Sequence, residues 1–349
     1  MKKGKLSENI LKRSVLRMIK THREEVIKGA EVGGDCAFLS WRGNAGSQTV
    51  VSSQTIMLPV RQAPYLAVMA AANNLAAAGG EAAAVMLSLT LPEKVTEEDL
   101  REIMRQAEDC CGTLHVQIAG GHTEVSDAVW LPVITATAIG CVRQTSAQES
   151  ASENRMQQEK PGKAFPMDLV LSKWVGLEGT AILACEKEVE LSKRYPPHLI
   201  LKAKSCKEQL SVASEAAIAL KSGVYAMHDV RNSGIFGALW ELSRKIGVGL
   251  DVCLKGIPIK QETIEICEFY DLNPYELLSG GCLLMVVENG EKLCRELSQS
   301  GIPASVIGRT NGSNDKIIRN GDEVRYLTMP VQDEIWKVAF PAAKMKEES

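Results

Sequence analysis

Four short stretches of the chain hold residue types that can do chemistry at a spacing close enough to act together. The first is Ile118–Val125, IAGGHTEV, in which Gly120 and Gly121 precede His122, Thr123 and Glu124. Paired glycines free the backbone to turn tightly or to approach another group closely. With apolar runs at Leu114–Ile118 and Val129–Cys141 on either side, the stretch predicts a strand, a Gly-Gly turn and a second strand. A polar cluster at such a turn suits a phosphate or a metal, and it equally suits a hairpin tip facing water. The second stretch is His228–Asp229, which leaves an apolar run just before the turn Asn232–Gly234. It reads either as a capping pair or as an acid and base of an active site. The third is Val175–Thr180, VGLEGT, whose Gly176 and Gly179 lie between a strand and a helix, where helix-start amides face an anion. The fourth is Glu31–Cys36, EVGGDC. Its Asp35 is either a turn residue or a ligand to a metal or to phosphate-bound magnesium. A hydrolase metal site built from His122, Glu124, His228 and Asp229 is disfavoured, because nothing in the chain has zinc-ligand spacing.

The elements that position these residues follow from periodicity. Leu6–His22 has the apolar spacing of an amphipathic helix, with Ser7 as its N-cap. Thr49–Met57 alternates as a strand, with Ser53 and Gln54 near its end. Tyr65–Ala78, YLAVMAAANNLAAA, is an alanine-dominated helix whose small side chains imply close packing on a sheet. Asn73 and Asn74 interrupt its apolar surface and need hydrogen-bond partners. Gly79–Gly80 ends that helix, Ala82–Leu91 is a strand, and Thr96 caps a helix running to about Cys110. The polar stretch Arg143–Lys163, ending in Pro-Gly, marks a boundary. Domains are therefore expected at 1–142 and 166–349, with 143–165 as linker or long loop. Beyond it, Asp168–Trp174 is a strand, Ala181–Glu188 a helix, Lys204–Lys221 an amphipathic helix, and Ile235–Leu242 the start of another. Cys282–Glu288, Glu291–Ser300 and Ala304–Arg309 form a βαβ unit.

Bulk properties narrow the function classes. The chain has 349 residues, enough for two cores, with 45% hydrophobic and 24% charged residues. A net charge of -3 and 5% aromatic residues argue against a nucleic-acid partner. No apolar run has membrane-spanning length, and the basic N-terminus is helically spaced rather than a signal peptide. The ten cysteines are scattered, and Cys141, Cys185, Cys253 and Cys282 lie in apolar runs. They read as reduced core thiols of a cytoplasmic protein.

Taken in order, VGGDCAFL, NNLAAAGGEAAAVMLSLTLP, IAGGHTEV, LSKWVGLEGTAILA, AMHDVRNSGIFGALWEL and IPIKQETIEICEFYDLNPYELLSGGCLLMVVE resemble the PurM-like (aminoimidazole ribonucleotide synthase) superfamily. The likeness runs from GKL at Gly4–Leu6 to DEIWKV at Asp333–Val338, and is strongest to the hydrogenase maturation factor HypE and the AIR synthase-related proteins. The resemblance implies an α/β (α+β) fold of two domains. The N-terminal sheet forms a dimeric barrel with a second copy, and the C-terminal domain is ferredoxin-like. It implies ATP with Mg2+, a homodimer, and phosphorylation of an amide or carboxyl oxygen on a small-molecule or protein substrate. Residue by residue, it implies ATP contacts at Asp35, Gln54, Asn73, Asn74, Gly120, Gly121, Thr123, Gly176 and Gly179. It places magnesium at Asp35 and acid–base chemistry at His228, Asp229 and His122.

The chain departs from that pattern where charge matters. Gly34, Gln54 and Asn74 stand where the family often has acids, and Arg231-Asn232-Ser233-Gly234 replaces Thr-x-Gly-Gly. A charge-assisted hydrogen bond is worth about 1.5–3 kcal/mol. Losing those of Gln54 and Asn74 weakens magnesium-nucleotide binding by about 3–6 kcal/mol, roughly a hundredfold to ten-thousandfold. A nucleotide-binding or scaffold protein that has lost catalysis is therefore the alternative to an enzyme. HypE proteins also end in a carbamoyl-accepting cysteine. This sequence ends KMKEES with Cys294 the nearest cysteine, so that acceptor is not expected here.

Overall fold

A computed structural model describes residues 8–14, 16–19, 24–32, 34, 36–40, 47–143 and 166–340. Asp35, the expected cap Ser7 and 144–165 of the expected linker 143–165 lie outside the described residues, while Arg143 ends a strand. The described residues group into two compact units, one within 25–29 and 35–143, the other within 1–24, 30–34 and 144–338. The N-terminal helix α1 (Glu8–Ser14) groups with the second unit, where Glu8 accepts a hydrogen bond from Arg244. Among the described residues of 6–22, helix covers α1 and a 3-10 turn at Leu16–Met18.

The first unit is a six-stranded sheet ordered β1 (Val26–Lys28), β2 (Ala37–Leu39), β3 (Ser47–Ile56), β6 (Val133–Arg143), β4 (Glu81–Leu91) and β5 (Gln117–Val125). Only the β4–β5 pair is parallel. Helix α2 (Ala63–Ala77) packs on β3, β4 and β6. All of its residues are buried, which a helix of alanines achieves because small side chains let it settle closely on the sheet. Helix α3 (Glu97–Leu114) is amphipathic and starts at a reciprocal cap, in which Thr96 accepts from the Asp99 amide and Asp99 accepts from the Thr96 amide. It runs past Cys110 to a left-handed His115.

The stretch IAGGHTEV departs from expectation, because β5 runs unbroken through both glycines. Its pairing with β4 slips between Val85 and Met86, and a bulge rather than a turn absorbs the glycines. Gly121 has φ +152°, and a Cβ there would lie 1.8 Å from the Leu87 carbonyl oxygen. The missing side chain is what lets two backbones approach.

In the second unit seven strands are ordered β13 (Glu323–Tyr326), β12 (Lys316–Asn320), β9 (Gly249–Cys253), β11 (Ala304–Asn311), β7 (Asp168–Ser172), β10 (Cys282–Val287) and β8 (Ala226–Val230). Strand β7 lies antiparallel between β10 and β11, so the expected βαβ unit is split by it, as in ferredoxin-like sheets. Helix α4 is Leu177–Glu186, α5 Glu188–Leu191, α6 Pro197–Ser205, α7 Ala213–Lys221, α8 Gly234–Ile246, α9 Gln261–Tyr270 and α10 Gly290–Gln299. The helix expected over 204–221 is interrupted between α6 and α7. Helix α8 packs Ile235, Leu239, Leu242 and Ile246 on Leu169, Leu171, Leu284 and Val286. No helix among the described residues is long and apolar enough to cross a membrane. Six of the ten free thiols are buried, whereas Cys253 is exposed.

Two glycine substitutions should move stability in opposite directions. Gly112 sits in α3, and a Cβ added there would meet open space, so Gly112→Ala should raise stability by about 0.5–1 kcal/mol. Gly121→Ala should lower it by more than about 2 kcal/mol. Urea unfolding of both variants against the parent checks the pair.

Candidate functional site

Side chains on a strand alternate between faces, and on β3 this separates two kinds of chemistry. Val50, Ser52 and Ile56 are buried on the face that α2 covers. Helix α2 carries Asn73 and Asn74 into that layer, 3% and 7% exposed. Asn74 Nδ2 donates to Ser52 Oγ at 3.0 Å, and the Asn74 carbonyl accepts from Cys36 Sγ at 3.2 Å. Gln54 is partly buried two residues beyond Ser52, in the same alternation. The result is a neutral amide–hydroxyl contact in the position that the resemblance gives to a carboxylate. Among the described residues no group of three or more His, Cys, Asp or Glu side chains can hold a metal ion. The described side chains at the end of α2 therefore offer magnesium amide and hydroxyl oxygens but no carboxylate.

The opposite face of the sheet is open and rich in hydroxyls. His122, Ser88, Thr135 and Thr55 are register partners in turn across β5, β4, β6 and β3. Gly120, Met86, Thr137 and Ser53 form the neighbouring row. Thr55 and Thr135 hydroxyls lie 2.8 Å apart, and those of Ser53 and Thr137 2.9 Å. His122 Nε2 is 3.2 Å from Glu124 Oε2, both side chains well exposed, so the pair adds little to stability. Strand β5 ends the sheet, and Gly120, Gly121, His122, Thr123 and Glu124 are all exposed on it. Sequence reasoning missed the hydroxyl rows. Their signal was the recurrence of Ser and Thr at every second position in SSQT, SLT and TAT.

The second unit treats its expected site residues differently. Gly176 is a left-handed N-cap, and Gly179 lies inside α4 rather than in a loop before it. The Gly176 amide donates to Ser279 Oγ at 2.7 Å and the Gly179 amide to the Leu278 carbonyl at 2.9 Å. A Cβ on either would strike Thr263 or Leu277. Both glycines therefore serve packing, and their amides are engaged within the chain rather than offered to a phosphate. His228 and Asp229 are adjacent on β8 and leave it on opposite faces. His228 Nε2 lies 3.1 Å from Glu241 Oε2 on α8, with the histidine 3% exposed. The structure therefore does not bring the two together as an acid–base pair.

A buried polar cluster stands nearby that the sequence did not flag. Arg231 Nη2 donates to Glu178 Oε1 at 2.7 Å, with both side chains largely buried. The carboxylate of Glu178 presses on the 279–281 loop so closely that a Cβ on Gly280 would meet it at 2.3 Å. Asp229 and Asp333 also act electrostatically on Arg231. Burial pushes Asp333 up to about 7, against hydrogen bonds from the Ile335, Ser233 and Leu278 amides and with the Glu178 charge adding to the rise.

Comparison with known proteins adds an independent line. Residues 33–142 match the N-terminal domain model, and residues 168–319 the C-terminal domain model, of the AIR synthase related protein family. A protein of Methanocaldococcus jannaschii named for hydrogenase expression and formation is 28% identical over 289 residues, covering 81% of each chain. The crystal structure of E. coli HypE superposes with a TM-score of 0.68 at 18% identity, covering 89% of this chain and 94% of that one. A structure of HypE in complex with ATP gives a TM-score of 0.68 at 17% identity, covering 95% and 97%. The two-domain α/β fold is therefore that of these proteins.

The Asn74–Ser52 contact makes a direct prediction. Ser52→Ala removes the acceptor of a buried amide, and should lower stability by about 1–3 kcal/mol. In urea unfolding the midpoint should fall with the slope unchanged.

Proposed function

The chain belongs to the AIR synthase-related, PurM-like superfamily, and on that premise we propose that it binds ATP with little dependence on magnesium. The observation that carries this reading is the buried Asn74–Ser52 hydrogen bond where related sequences are expected to hold an acid. Phosphates are met on the exposed strand β5 by Thr123 and by whichever of the adjacent Gly120 and Gly121 amides faces away from β4. These contacts carry no charge and do not need the lost acids. The resemblance also assigns nucleotide contacts to Asn73, Asn74 and Gln54, of which Asn73 and Asn74 are buried on α2 at the covered face. The ATP-bound HypE relative supports the choice of nucleotide.

Phosphoryl transfer builds negative charge that must meet a fixed counter-charge. Neutral amides supply none, so turnover is slow or absent, and the chain acts as a nucleotide-binding member of its family. The enzyme reading, ATP-dependent activation of an amide or carboxyl oxygen with His122 as the proton carrier, is favoured only by the exposure of His122 beside Glu124.

Calorimetry with ATP separates the readings. Binding should change less than about threefold, under 1 kcal/mol, when magnesium is added. Gln54→Asp with Asn74→Asp should make binding magnesium-dependent. Tight magnesium-dependent binding with steady hydrolysis by the parent protein would establish the enzyme instead.

We also propose a homodimer formed through the open, hydroxyl-lined face of the N-terminal sheet. Light scattering should give twice the 37.9 kDa of one chain. A mass of one chain at every concentration would remove the dimer.

A further inference from the structure

Strand β13 ends the seven-stranded sheet, bonded to β12 on one side and to no strand on the other among the described residues. All four of its residues are exposed, Val324 at 52% and Tyr326 at 69%. The unpaired N–H and C=O groups of such an edge are a template for another strand, and proteins blunt them with lysine, proline, bulges or a covering element. β13 has neither lysine nor proline, and its register with β12 runs without a bulge from Asn320–Glu323 to Ile317–Tyr326.

The pairing fixes which backbone groups face outward. The Leu327 amide donates to the Lys316 carbonyl at 2.7 Å. Residues that bond the neighbour alternate along an antiparallel strand. Leu327, Arg325 and Glu323 therefore bond toward β12, and the amides and carbonyls of Val324 and Tyr326 point away from the sheet. Side chains alternate between the faces. Arg325 leans toward α8, its guanidinium carbon 5.5 Å from the Phe236 ring centroid, and Glu323 shares that face. Val324 and Tyr326 lie on the opposite face, where their register partners are Arg319 and Ile317.

This order of residues is complementary to itself. A second β13 can run antiparallel alongside the first with a two-fold axis at Val324. Each Val324 then donates its N–H to the carbonyl of the other. Glu323 of each chain stands directly opposite Arg325 of the other, in a non-hydrogen-bonded pair where side chains come closest. Moving the axis one residue, to Arg325, would set that arginine against its own copy, a destabilising like-charge pair. Charge therefore selects the Val324 register.

We propose that the β13 edge is a self-association surface, which pairs with β13 of a second copy about a two-fold axis at Val324. The contact is separate from the dimer proposed through the first unit and does not depend on it. A four-residue pair is far smaller than a stable interface, so it fills only as concentration rises, on top of whatever mass the first unit sets. A chain with two such isologous contacts assembles into closed tetramers or open strings.

Hydrogen exchange read by mass spectrometry on peptides covering 322–327, with sedimentation velocity, tests this on the full chain across a concentration series. Protection of 322–327 should rise with concentration together with the sedimenting mass. The exchange readout is local, so a dimer through the first unit does not mimic it. Val324→Pro removes an N–H that the pairing with β12 does not use. It should abolish the rise while 316–320 stays protected. Glu323→Arg should weaken the pairing by about tenfold, and adding Arg325→Glu should restore it. Three results would each overturn the proposal: protection of 322–327 in the parent that does not change with concentration, a rise that survives Val324→Pro, and pairing that is indifferent to Glu323→Arg or is not rescued by the double exchange.

Discussion

A helix buried on every side must satisfy each polar atom it carries from within the protein. Helix α2 is such a helix, and its two carboxamides, with the Tyr65 hydroxyl, are the polar breaks in an otherwise apolar surface. Alanine makes the close approach to the sheet possible, and the close approach removes water. Under those conditions a carboxylate at position 74 needs a cation or a proton beside it, while a carboxamide needs only an acceptor. Ser52 on β3 provides that acceptor. Packing of α2 and the chemistry at its end are one problem, and the amide–hydroxyl contact answers both.

The two units handle buried charge in different ways. In the first, the covered face of the sheet carries no described ion pair at its amides, and polar character is moved to the open face as rows of hydroxyls. Hydroxyls donate and accept without demanding a fixed protonation state, so such a face suits phosphates, sugars or a second sheet. In the second unit charge is kept inside. Lys173 is buried against Glu215 at 2.6 Å, and Arg231 against Glu178 at 2.7 Å. Buried pairs of this kind contribute less to net stability than to fixing one arrangement of loops. Here they fix the segments around α4.

Much of this architecture was legible in the sequence, for physical reasons that can be named. The alanine helix, the Thr96 cap and the strands β3 and β4 depend on local propensity and on patterns of burial, and the sequence carries both. The two glycine motifs were misread because their meaning is tertiary. Gly120 and Gly121 sit in a strand at a bulge against Leu87, and Gly176 and Gly179 sit at and inside the start of α4 against Thr263 and Leu277. A glycine read from sequence reports that a side chain would not fit, but not what it would strike. His228 and Asp229 failed as a pair for a simpler reason. Adjacent residues on a strand face opposite ways, so the strand assignment itself argued against joint chemistry. The Glu178–Arg231–Asp333 cluster joins positions more than a hundred residues apart at its extremes, and no local pattern could have announced it.

The central claim is that the covered end of α2 holds a neutral contact in place of a metal ligand. Crystals soaked with a non-hydrolysable ATP analogue and manganese, measured at the manganese absorption edge, test it most directly. The account predicts density for the nucleotide along β5, with no anomalous peak within coordinating distance of the Asn74 or Gln54 carboxamides. A strong anomalous peak on those oxygens, with the Asn74–Ser52 hydrogen bond broken, would contradict it.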